Sequence, residues 1–135
     1  YVTEMASYCF KKTNITTVRF DDKCRITTIP SGAFNTCESL TFIDFGKAGI
    51  TTVGGNAFAF SRQLLFKDNR MPSMFSTFSG TQHFDGCNAM VTLIFPETFT
   101  EFDCDTRIQN SGILFFLLHI LGALTHTSKS AVRFF

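Results

Sequence analysis

The feature that most restricts this chain is a repeat. Apolar pairs three residues apart recur as Val2 with Met5, Ile26 with Ile29, Ile50 with Val53, Phe75 with Phe78 and Phe99 with Phe102, and their starts are separated by 24, 24, 25 and 24 residues. The first three pairs are followed five positions later by Phe10, Phe34 and Phe58, and the fourth after six by Phe84. Three residues beyond each of these Phe stand Thr13, Cys37, Ser61 and Cys87, all small and weakly polar. A third motif, apolar-x-x-apolar-x-apolar, reads Ile15-x-x-Val18-x-Phe20, Leu40-x-x-Ile43-x-Phe45 and Met90-x-x-Leu93-x-Phe95. In the third unit Leu64 is followed by Lys67 and Asn69, where apolar residues are expected.

A unit of this length is too short to bury its own apolar face, so units must stack and bury their faces in one column. The β-branched runs ITTI and ITTV favour short strands. Pro30, Gly32, Gly54, Gly55 and Gly80 supply corners between them. If each unit closes on the same radius, Phe10, Phe34, Phe58 and Phe84 form a ladder with rungs about 4.8 Å apart. Composition agrees. The chain has 18 Phe, 2 Tyr and no Trp in 135 residues, and Phe carries no polar handle, so the excess suits a core. Nine of the Phe sit at repeat-defined positions: 10, 20, 34, 45, 58, 75, 78, 84 and 95. With 17% charged residues and a net charge of +1, nothing electrostatic calls for a nucleic-acid partner.

The units SGAFNTCESLTFIDF and FDGCNAMVTLIF resemble the leucine-rich repeats of the BspA-like surface-antigen family of bacteria and protists. The likeness rests on the A-F-x-x-C-x-x-L block of residues 33–40 and the preceding ITTIP of residues 26–30, and it spans roughly residues 2–103. It departs where Phe or Ile replaces Leu, where His83 stands at a small-residue position, and where Lys67 interrupts an inward one. The resemblance implies a leucine-rich-repeat solenoid, mostly β, right-handed, with short parallel strands, loops and short helical turns in about five turns. It also implies a surface-exposed or secreted, non-catalytic module for adhesion, binding a protein or extracellular-matrix ligand. The alternative is an intracellular, cytoplasmic scaffold for protein contacts. No specific homo-oligomer is predicted.

The division expected is residues 1–104 as repeats and 105–135 as an apolar, basic tail. The first 105 residues carry nine Lys/Arg and eleven Asp/Glu, whereas the remainder carries Arg107, Lys129 and Arg133 and no acid. Inside the tail, GILFFLLHILGAL fills residues 112–124. Ile113-x-x-Phe116-x-Leu118 fits a fifth strand that lids the column. The other readings are a truncated membrane span, although a crossing needs about 20 apolar residues, and an ill-folded end. The first residue is Tyr1, with no basic n-region or apolar h-region after it, so the stretch reads as a fragment or a mature piece.

Candidate chemistry is sparse. No nucleophile-elbow, zinc-protease, phosphate-loop, dinucleotide or EF-hand string is present, so no catalytic residue, cofactor or metal is assigned. Gly54-Gly55 reads as a corner, and His83, His119 and His126 as packed or solvated. Glu101, Asp103 and Asp105 read as a solvated cap rather than a cation site. Five cysteines lack zinc spacing, and Cys37 and Cys87, two rungs or about 9.6 Å apart, exceed disulfide reach. Asn14-Ile15-Thr16 is a glycosylation sequon. The constellation with functional promise is the outward lane of the strands. Counting from the motif, one file is Thr17, Phe42, Phe66 and Thr92, and its neighbour is Arg19, Asp44, Asp68 and Ile94. Two stacked Phe beside two Asp would form a face for a protein partner.

Overall fold

The computed structural model describes residues 2–95, 101–102, 111, 115–118 and 132–133. Nine short strands are present among them: β1 Thr17–Arg19, β2 Thr28–Ile29, β3 Phe42–Asp44, β4 Thr52–Val53, β5 Thr77–Phe78, β6 Thr92–Phe95, β7 Glu101–Phe102, β8 Phe115–Leu118 and β9 Val132–Arg133. Pairing follows the repeat. β1 lies parallel to β3 with Val18 against Ile43, and β2, β4 and β5 form one parallel sheet with Ile29 against Val53 and Val53 against Phe78. Each partner lies about one unit further along the chain, so equivalent side chains stand one above another.

Between the two kinds of strand runs a third wall made of consecutive β-turns. The short helical turns implied by the resemblance are absent from it; the one helical turn among the described residues is the 3-10 segment Lys67–Asn69. Hydrogen bonding explains why. The N–H groups of Gly32, Phe34 and Thr36 donate to the carbonyls of Gly55, Ala57 and Ala59 in the next repeat, at 2.9, 2.8 and 2.7 Å. Those of Asn56, Phe58 and Phe60 repeat the pattern on Thr81, His83 and Asp85. The interleaved Ala33 and Asn35 donate back to Pro30 and Gly32 of their own repeat. An α-helix needs every N–H inside its own run; here alternate donors are spent on the neighbouring repeat.

That alternation forces left-handed backbone at a regular interval. Positive φ recurs at Tyr8, Gly32, Asn56 and Gln82, and again at Lys12, Thr36, Phe60 and Gly86. Glycine at Gly32 also leaves room for the Tyr8 ring of the preceding repeat, which lies over it: a Cβ there would fall 2.1 Å from that ring and displace the exposed side chain. Gly54 answers to proximity alone, since an added Cβ would meet the Ser31 nitrogen at 2.5 Å and the Pro30 carbonyl carbon at 2.8 Å. The Gly54-Gly55 corner is therefore a place where two repeats touch through their backbones.

The expected Phe ladder is present. Phe10, Phe34, Phe58 and Phe84 stack with centroids 5.5, 5.9 and 5.4 Å apart and planes within 9° of parallel. Phe10 is the end rung and keeps 37% of its surface exposed, whereas the other three are fully buried. Beside the ladder runs a file of polar donors. Cys37 Sγ donates to the Phe10 carbonyl at 2.9 Å, Ser61 Oγ to that of Phe34 at 2.6 Å, and Cys87 Sγ to that of Phe58 at 3.1 Å. Each reaches the repeat before it and satisfies a carbonyl that would otherwise face the core with one partner fewer. Ser111, 24 residues beyond Cys87, is buried as well. His83 is also inside the column, its ring edge-on to Phe78 and its Nε2 3.0 Å from the Ser79 carbonyl oxygen.

The third repeat departs from the constant interval. Phe42 pairs with Leu65, and Ile94 with Arg70, through isolated parallel bridges. The inward positions are thus filled by Phe66 and Met71, which are 4% and 2% exposed, instead of Lys67 and Asn69. Lys67, Asp68 and Asn69 form the 3-10 turn and lie in solvent, with Asp68 and Asn69 both at positive φ. Burying the Lys67 ammonium would cost several kcal/mol. A slip of one residue followed by a looped-out turn avoids that and brings two apolar side chains inside.

Beyond the fourth repeat, β8 pairs parallel with β6, placing Phe116 against Leu93 and Leu118 against Phe95. This strand falls within the 113–118 segment expected to lid the column; residues 112–114 and 119–124 lie outside the described ones. Phe102, expected to continue the β2–β4–β5 file, instead lies in β7, antiparallel to β9 with Phe102 against Val132.

Candidate functional site

The parallel strands β1, β3 and β6 present one face outward, and the third repeat breaks it. Where the 3-10 turn bulges away between the Phe42–Leu65 and Arg70–Ile94 bridges, a groove of about 530 Å³ opens. Its base is apolar, with Phe45, Phe66 and Met71 buried and Met74 half-buried. Half-buried Phe42 and Ile94 form its flanks, and Asp44, Lys67, Asp68 and Arg70 stand on its rim. A volume of this size lies within the range of pockets that accept a small ligand or a few side chains.

Five of the eight residues anticipated for the partner-binding face line this groove: Phe42, Asp44, Phe66, Asp68 and Ile94. Two of them do so differently from expectation. Phe66 does not stand in the outward file; it is buried and packs edge-on against Phe45, Phe58 and Phe84 at 5.7–5.8 Å. No Phe42–Phe66 stack exists, because the one-residue slip puts Leu65 next to Phe42. Asp68 sits on the looped-out turn, and Arg70 takes its place beside Ile94. Thr17 pairs with Phe42, and Arg19 pairs with Asp44 and reaches its carboxylate, Nε to Oδ2, at 3.5 Å. Thr92 lies further along the same face, paired with Phe115. Lys67, Arg70, Met71 and Met74 also line the groove and lie outside the two files counted from the motif; the signal for them is the failure of the apolar motif after Leu64.

A second cavity, of about 480 Å³, opens at the first repeat and is lined by Val2, Met5, Phe10, Val18, Phe20 and Ile26 among others. It lies against the first repeat's side of the apolar column and carries little polar surface to orient a ligand.

Four cysteines stand outside the groove among the described residues. Cys9, Cys24, Cys37 and Cys87 are free thiols. Burial pushes the Cys87 thiol far up, with the neighbouring Asp85 charge adding to it, and burial likewise raises Cys37 and Cys9. A nucleophilic cysteine needs the opposite shift. Among the described residues no group of three or more His, Cys, Asp or Glu is placed to hold a metal ion. Among the same residues no helix is long and apolar enough to cross a membrane. Glu101, Asp103 and Asp105, His119, His126 and Cys104 have side chains outside the described residues. Asn14 is exposed.

No curated protein and no solved structure matches the chain. A family profile does: the one described as BspA type leucine rich repeat region (6 copies) matches residues 3–106. That family is in general non-enzymatic and typically surface-associated, and leucine-rich repeats typically mediate protein binding. The match covers most of the sequence, and it coincides with the stacked parallel strands, the Phe ladder and the donor file, so the chain belongs to the BspA-type leucine-rich-repeat family.

Proposed function

We propose that this chain is a non-catalytic protein-binding module of a surface-exposed or secreted protein, serving adhesion, and that it engages its partner through the strand face at the third-repeat groove. The observation that carries the reading is the groove itself: a half-exposed Phe42 and Ile94 over a base of buried apolar side chains, rimmed by four charges. Binding faces combine an apolar centre with a polar rim in this way. Arg19, Thr17 and Thr92 extend the face on either side. The repeats of residues 1–104 form a right-handed solenoid of about five turns, since parallel strands in one sheet are joined by right-handed crossovers. Within residues 105–135, β8 supplies the strand of the last of these turns, a reading supported by its parallel register with β6. Asn14, exposed within its sequon, is the glycan acceptor of an exported chain.

The test is binding to a panel of purified extracellular-matrix proteins, comparing the natural chain with Phe42→Asp and with Lys12→Glu on the opposite turn wall. The reading requires at least one matrix protein to bind and Phe42→Asp alone to abolish it. Equal loss in both variants, or no binding at all, contradicts it.

Four free thiols among the described residues favour a second reading, an intracellular scaffold, because disulfides are rare in reducing compartments. Protease treatment of intact cells decides between them: loss of the chain supports display at the surface, and full protection supports the scaffold.

A further inference from the structure

The groove carries an uneven charge. Asp44 is already engaged, with Arg19 Nε 3.5 Å from its Oδ2 and the Gly46 N–H donating to its Oδ1 at 2.9 Å. Lys67, Asp68 and Arg70 have no ion-pair partner among the described residues. Two free cations therefore face one free carboxylate. Lys67 opens the looped-out turn and Arg70 follows it, so the irregularity that opens the groove also supplies its positive edge. Two methionines line the same space, Met71 on the base and Met74 beside it. Their flexible thioethers adapt to varied apolar shapes.

We propose that the groove takes an extended segment of a partner protein in which an apolar side chain is flanked by acidic residues. The proposal rests on the protein-binding reading of this same face and adds the chemistry of the partner. The apolar side chain enters between Phe42, Met71 and Met74, and the carboxylates meet Lys67 and Arg70. Arg70 can accept a carboxylate in a two-point contact, and Lys67 offers a point charge. The apolar contacts hold the segment; the cations select it and set its direction. Two cations do not form the continuous track that a nucleic-acid backbone requires.

Selection from a displayed library of random peptides tests this, with the full chain as bait. Three baits are compared: the natural sequence, the Lys67→Glu/Arg70→Glu double variant, and Phe42→Asp. All three positions are at least partly exposed, so the fold is expected to persist, and denaturant unfolding verifies it. The natural chain should enrich peptides with Asp or Glu beside Phe, Leu or Met. The charge-reversed bait should lose affinity for those peptides roughly tenfold or more and enrich Lys or Arg in their place. If selected peptides depend on Phe42 but show no acidic preference and survive charge reversal, the proposal is overturned while the binding face stands. If no selected peptide depends on Phe42, the binding face itself is wrong and the proposal falls with it.

Discussion

The rings of Phe34 and Phe58, 24 residues apart in sequence, lie 5.9 Å from each other and only 3° from parallel. Both are fully buried, and each has a further stacked ring on its other side. Phe10 has one such neighbour and a face in solvent. Phe58→Ala should therefore cost about 3–5 kcal/mol, and Phe10→Ala markedly less. Urea unfolding measures both, and equal losses would place the end of the column elsewhere.

The register of the third repeat makes an opposite pair of expectations. Phe66 touches Phe45, Phe58 and Phe84, so Phe66→Ala should cost as much as a central ladder residue, about 3–5 kcal/mol. Leu65, 38% exposed, should lose about 1 kcal/mol or less on truncation. A tolerated Phe66→Ala with a costly Leu65→Ala would restore the constant-interval register.

The buried thiols couple stability to alkaline pH. Burial raises the Cys87 and Cys37 thiols above their ordinary value of 9.0, so the folded chain holds these protons more tightly than the unfolded chain does. The resulting stability is complete below pH 9 and declines as pH rises above it. Urea midpoints should be flat from pH 7 to about 8.5 and then fall, and Cys87→Ser should flatten the decline. An unchanged decline in Cys87→Ser would assign it to other groups.

Gly54 tests the close approach of two backbones. A methyl group there meets the Ser31 nitrogen and Pro30 carbonyl carbon well inside contact distance, and neither is the mobile end of a side chain. Gly54→Ala should cost about 1–3 kcal/mol, whereas Gly49→Ala, with open space at its Cβ, should change stability by less than about 1 kcal/mol. Thermal unfolding compares the two directly, and equal behaviour would remove the contact.

Much of this architecture is legible in the sequence because stacking repeats a position as well as a residue. The interval between Phe10, Phe34, Phe58 and Phe84 locates the ladder, and the interval from Thr13 through Cys87 locates the donor file. The identity of the donors' partners is not legible, since a carbonyl three residues before the equivalent position in the preceding repeat leaves no mark. Nor is the left-handed backbone, which falls on Tyr8, Thr36 and Phe60 as readily as on glycine when inter-repeat hydrogen bonds hold it. The groove was half legible. Counting a fixed interval through Leu64 placed Phe66 and Asp68 outward, because spacing alone cannot represent a slip of one residue followed by a looped-out turn. The cost of burying Lys67 was the clue that the register had to move.

Partner binding at the strand face where the third repeat opens is the proposal from which the others descend. Hydrogen exchange of the chain, alone and with a peptide selected from the displayed library, tests it most directly. Binding in the groove should slow exchange at residues 42–45, 65–71 and 94, with no change along the turn wall at 31–36 and 55–60. Protection of the turn wall, with the groove unaffected, would contradict it.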